Sequence, residues 1–73
     1  MSADEMFEEL GYWLDCENSN MCIWVNDYNE VIKFNKKRKE FYKAVGNEEF
    51  EYITVEELKA INKKCEELNW IWK

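Results

Sequence analysis

The chain contains no histidine and no proline, only two glycines, and three cysteines in no CxxC pair. Without histidine it lacks the commonest general base at neutral pH and the commonest metal ligand. Ser-His-Asp and Cys-His arrangements therefore cannot be built within one chain. Two glycines are too few for a phosphate-cradling loop. Cys16, Cys22 and Cys65 lack zinc-ligand spacing, so no structural metal or other cofactor is expected. Paired carboxylates could be assembled, but 73 residues hardly enclose the dry pocket that raises a carboxyl pKa. An enzyme is not expected.

Long apolar runs are missing as well. None approaches the ~20 residues needed to span a bilayer, so no membrane partner is expected. No signal-peptide pattern opens the chain, since acids begin at Asp4. The expected setting is the cytoplasm, with reduced thiols. A Cys16–Cys22 disulfide across a hairpin is a minor alternative.

What the chain has in excess is aromatic: four Trp, four Tyr and four Phe. A chain this short has room for one domain, residues 1–73, and heavy aromatics help fill so small a core. Charge is abundant too, 16 acids against 10 bases, for a net of −6. It is unevenly spread. Residues 1–17 carry Asp4, Glu5, Glu8, Glu9, Asp15 and Glu17 with no base. Lys33, Lys36, Lys37, Arg38, Lys39 and Lys43 then crowd into one stretch, and acids return from Glu48 to Glu57.

The local signals predict an α+β fold. Ser2 and Glu5 form a capping box for a short helix over Ala3–Leu10, with Ala3, Met6, Phe7 and Leu10 on one face. Gly11 supplies a left-handed stop. Tyr12–Cys16 and Met21–Val25 read as hairpin strands around the turn Glu17–Asn20, and Glu30–Asn35 as a third strand after Asn26–Asn29. Arg38–Val45 continues the meander, and Phe50–Ile53 could add an edge strand. Thr54 and Glu57 form a second capping box. Beyond it Val55, Leu58, Ile61, Cys65, Leu68 and Trp72 mark one apolar stripe, with Lys59, Lys63 and Lys64 assigned to other faces. A three- to four-stranded antiparallel meander with a long C-terminal amphipathic helix packed on one face is the expected architecture.

Two surfaces invite a functional reading. The first is aromatic. Strand alternation sends Ile23 and Val25 to one face and Trp24 to the other. Tyr12, Trp13, Trp24, Tyr28, Trp70 and Trp72 together exceed what so small a core can absorb. Trp13, Trp24, Tyr28, Trp70 and Trp72 are the candidate protein-binding residues, because Trp and Tyr favour interaction hot spots. Core filling is the competing role for each. The second surface is the basic stretch Lys33, Lys36, Lys37, Arg38, Lys39 and Lys43, interleaved with Phe34, Phe41 and Tyr42. It suits phosphate contacts with base stacking, a solvated strand edge guarded by lysines, or pairing with the acidic flanks. The acids Asp4, Glu5, Glu8 and Glu9 fit either phosphate mimicry or the wet face of an amphipathic helix.

The opening Ser2-Ala3-Asp4-Glu5-Met6-Phe7-Glu8-Glu9-Leu10-Gly11-Tyr12 resembles that of small uncharacterised proteins of Firmicutes phages and prophages. Residues 53–70, from Ile53 through Val55-Glu56-Glu57-Leu58 to Asn69-Trp70, resemble their closing helix. Asn69 stands where that pattern has Gly, and both residues tolerate the left-handed conformation. The resemblance implies a phage or prophage accessory protein in a bacterial host cell and brings no catalytic residues. The expectation is a non-enzymatic binder of a host protein, for instance an inhibitor of host defence. The alternative is a nucleic-acid-binding accessory using the basic stretch 33–43, and a third reading is a homo-oligomer built on the C-terminal helix.

Overall fold

The computed structural model describes residues 1–46 and 52–71. In chain order they form helix α1 (Ala3–Glu9), strands β1 (Trp13–Glu17), β2 (Met21–Val25), β3 (Glu30–Asn35) and β4 (Glu40–Val45), and helix α2 (Val55–Glu67). The strands make one antiparallel meander in the order β1-β2-β3-β4, so the expected α+β architecture is observed. Of the suggested edge strand, Phe50 and Glu51 lie outside the described residues, and Tyr52 and Ile53 are not strand.

Both helices start and stop by the same chemistry. Ser2 Oγ accepts from the Glu5 N–H at 3.1 Å while Glu5 Oε1 accepts from the Ser2 N–H at 2.9 Å. Thr54 and Glu57 repeat the box at α2. At the far ends Gly11 (φ +91°) and Asn69 (φ 60°) turn left-handed. The next residues then close back, Tyr12 N–H onto the Phe7 carbonyl and Trp70 N–H onto the Cys65 carbonyl. This is a Schellman closure, and each time an aromatic follows the turn and folds onto the core.

Pairing register assigns the two sheet faces. Trp24 stands opposite Ile32, and Ile32 opposite Lys43; Cys22 stands opposite Phe34, and Phe34 opposite Phe41. Both helices lie on this side. Phe7 of α1 stacks on Trp24 with centroids 4.9 Å apart and meets Phe34 edge-on at 6.2 Å. From α2, Ala60, Ile61 and Cys65 complete the core. Ala3 N–H donates to Glu67 Oε2 at 2.9 Å, tying the start of α1 to the end of α2.

α2 is rotated from its apolar stripe. Val55 is 67% exposed and Leu58 also faces solvent, whereas Glu57, Ala60, Ile61, Lys64 and Cys65 are buried. Lys64 thus sits inside rather than on an outer face. Its ammonium lies 3.6 Å from Glu17 and 3.7 Å from Asp4, and the residue is buried together with Ile61 and Cys65 of the same helix. The three cysteines are free. Cys16 pairs with Ile23 and Glu17 with Cys22, so Cys16 and Cys22 point to opposite sides of the sheet and cannot bridge.

Candidate protein-docking surface

Strand β2 is apolar at every position, Met21-Cys22-Ile23-Trp24-Val25. Such a run is typical of a strand covered on both faces. Among the described residues the helices cover only the side bearing the buried Cys22 and Trp24, while Met21, Ile23 and Val25 on the other side are half-buried. Met21, Ile23 and Val25 alternate onto the side away from both helices, where register gives them apolar neighbours. Trp13, Val25, Val31 and Ala44 form one cross-strand row, and Cys16, Ile23, Lys33 and Tyr42 the next. Met21, Asn35 and Glu40 form a third. Trp13 is 47% exposed and Tyr42 is exposed at the opposite edge. A bulge between Leu14 and Cys16, with Asp15 as the extra residue, twists the β1 edge.

The aromatic candidates separate. Trp13 lies on this open face. Trp24 does not: at 2% exposure it is the centre of the core, because the helices cover its side of β2. Among the described residues its Nε1–H has no hydrogen-bond partner. Tyr28, 81% exposed, stands at the tip of the β2–β3 turn, whose backbone is held by Asn26 Oδ1 accepting from the Tyr28 and Glu30 N–H groups. Trp70 is half-buried against Phe34 at 6.2 Å, so it acts chiefly as a lid on the core. Trp72 lies outside the described residues.

The basic stretch does not assemble into a ribbon. Alternation turns Lys33 to the open face and Lys43 into the core. Lys43 Nζ lies 2.8 Å from Glu57 Oε1 and 3.1 Å from Glu30 Oε2, with the Tyr52 ring centroid at 4.7 Å. It is therefore unavailable to a phosphate. Lys36 pairs with Glu17 at 3.2 Å and donates to the Asn18 carbonyl, and Arg38 pairs with Glu40 at 3.0 Å. Lys37 and Lys39 remain exposed on the turn.

Around Lys43 the polar groups satisfy one another. Burial alone would raise the Glu57 carboxyl, but hydrogen bonds from Lys43, Tyr12 and the Thr54 backbone hold it below the usual carboxylate range. The Tyr12 hydroxyl donates to Glu57 Oε2 at 2.6 Å. Burial, then that hydrogen bond and the Glu57 charge, push its phenol far above its ordinary value. Burial works against the Lys43 charge, yet Glu57 and Glu30 outweigh it and raise its pKa. Burial likewise pushes the Cys22 and Cys65 thiols up, away from the reactive thiolate.

Among the described residues, no group of three or more Cys, Asp or Glu side chains is placed to hold a metal ion. No helix of the described residues is long and apolar enough to cross a membrane. Comparison with family models, curated proteins and solved structures returns no match. The surface itself thus supplies the grounds for a functional reading. Sequence reasoning placed Ile23 and Val25 opposite Trp24 but had no means of telling which side the helices take. Consequently Val31 is not assigned to this surface from the sequence, and Tyr42 enters only as an aromatic of the basic stretch; their register with Val25 and Lys33 comes from the strand pairing.

Proposed function

We propose that the protein is a non-enzymatic binder that seats a partner protein on the open face of its sheet. The observation that carries this reading is β2: Met21, Ile23 and Val25 form an apolar floor on a side that neither helix covers. Exposed aromatics flank that floor at both edges, Trp13 on β1 and Tyr42 on β4. Exposed Trp and Tyr beside apolar residues are the side chains that protein contacts favour. The resemblance to phage and prophage proteins supports a host protein in the bacterial cytoplasm as the partner, with a component of host defence as one such target. The basic stretch offers weaker ground for nucleic acid, since Lys36, Arg38 and Lys43 are engaged in ion pairs.

The test is affinity capture from host lysate with wild-type protein and with Val25→Lys and Trp13→Ala. A stoichiometric protein recovered by wild type and lost with both variants supports the reading. Equal recovery by all three, or no partner at either low or high salt, overturns it.

A further inference from the structure

The open face alone is small. Four strands about 4.8 Å apart and some five residues long at about 3.3 Å each project to roughly 300 Å². A specific interface covers about 800 Å² on each partner. A partner seated on the face must therefore continue past an edge, and at the β1 edge the apolar surface does continue. Trp13 belongs to the open face and also lines a cleft of about 440 Å³ between α1 and β1. Leu14, 40% exposed, lies beside it, and Asp4 and Glu8 form the facing wall.

The charge at this cleft is one-sided. Glu8 makes no ion pair among the described residues, and Asp4 meets only Lys64, at 3.7 Å, whose ammonium is shared with Glu17. Glu5 and Glu9 are exposed on α1 and Asp15 on β1, the two elements that bound the cleft, and residues 1–17 contain no lysine or arginine. An indole beside open carboxylates is an environment that attracts a cation. We infer that this cleft, in continuity with the docking face and resting on that reading, receives a cationic amphipathic segment of the partner protein. The segment sets an apolar side chain on Trp13 and Leu14 and its lysine or arginine against Glu8 and Asp4. A second copy of this chain is disfavoured, because a symmetric contact would bring two acidic walls together on a body of net charge −6. Nucleic acid is disfavoured by the same acids.

The probe is a short synthetic peptide of leucine and lysine patterned as an amphipathic helix, titrated at physiological salt and followed by backbone amide shifts. A glutamate-for-lysine peptide and a scrambled peptide of identical composition serve as controls. Saturable binding of the patterned lysine peptide, with shifts concentrated over residues 4–14 and affinity reduced about tenfold by Glu8→Lys, is the expected result. Glu56→Lys makes the same charge change on exposed α2 and should leave the affinity unaltered. Equal binding of the scrambled or acidic peptide, equal weakening by Glu56→Lys, or shifts scattered over the surface overturns the inference. Lysate capture separates the two readings. A partner lost with Val25→Lys but retained with Glu8→Lys leaves the docking face standing and removes the cationic segment.

Discussion

Lys43 Nζ sits 2.8 Å from Glu57 Oε1 inside the protein, joining the middle of the last strand to the first turn of the last helix. Both side chains are almost fully buried. Glu57 does two jobs at once. The oxygen that meets Lys43 also accepts the Thr54 N–H that caps α2, at 2.9 Å. The second oxygen takes the Tyr12 hydroxyl.

Removing one partner should strand a buried charge. Lys43→Met is expected to cost about 3–5 kcal/mol, a large share of what a small domain has. The double variant Lys43→Met, Glu57→Gln should lose less than the sum of the two single changes. Urea unfolding of the three variants measures the coupling, and simple additivity would show that the pair acts independently.

Stability should form a plateau in pH with a fall at either end. The folded Glu57 carboxyl is held below its unfolded value. At low pH the unfolded chain therefore binds more protons, and stability declines as pH falls below about 4.3. Tyr12, Lys43 and Lys64 have folded pKa values above their unfolded ones. The buried Cys22 and Cys65 thiols are raised too. Above about pH 8.5, and more steeply above about pH 10, the folded state therefore retains protons that the unfolded chain releases, and stability declines as pH rises. Urea midpoints across this range should show both limbs, and Tyr12→Phe should make the alkaline limb shallower.

The tryptophans should behave oppositely. Trp24→Ala empties the ring that Phe7 stacks on and is expected to cost about 3–5 kcal/mol. Trp13→Ala removes a half-exposed side chain and should cost about 1 kcal/mol or less. With each as the sole tryptophan, acrylamide should quench Trp13 readily and Trp24 poorly.

Two turn positions test backbone conformation without side-chain contacts. A Cβ at Gly11 would meet nothing within 4 Å, yet φ there is +91°. Gly11→Ala should therefore destabilise by about 1–2 kcal/mol through the backbone alone. Lys39 adopts φ 56° in the β3–β4 turn, so Lys39→Gly should stabilise by about 0.5–1 kcal/mol. Thermal unfolding of both variants reads the signs.

Local chemistry made much of this fold legible. Ser2 with Glu5, and Thr54 with Glu57, announce helix starts because a hydroxyl and a carboxylate three residues apart satisfy the same backbone donors anywhere. Gly11 and Asn69 announce stops because few residues tolerate their backbone. β2 and β3 were readable to the residue, since the polar turns Glu17–Asn20 and Asn26–Asn29 bracket them. The docking surface was half legible: alternation separates Val25 from Trp24 without saying which of them is covered.

By itself, then, the amino-acid order determined where both helices begin, the bounds of β2 and β3, and which side chains alternate to the same side of those strands. It set β1 one residue early, began β4 at Arg38 rather than Glu40, and put Lys64 on an outer face of α2. Only the tertiary structure decided which face became the inside. The side carrying Trp24, Ile32 and Phe34 buries the larger apolar surface, and the charges that come with it must then be paired. Lys43 alternates into the covered side and Lys64 lies on the buried face of α2, and each needs carboxylates in a place where water cannot supply solvation. α2 is therefore turned so that Glu57 reaches Lys43 and the Lys64 ammonium reaches Glu17 and Asp4, leaving Val55 and Leu58 in solvent. With both helices held on that side, Met21, Ile23 and Val25 are left uncovered on the other.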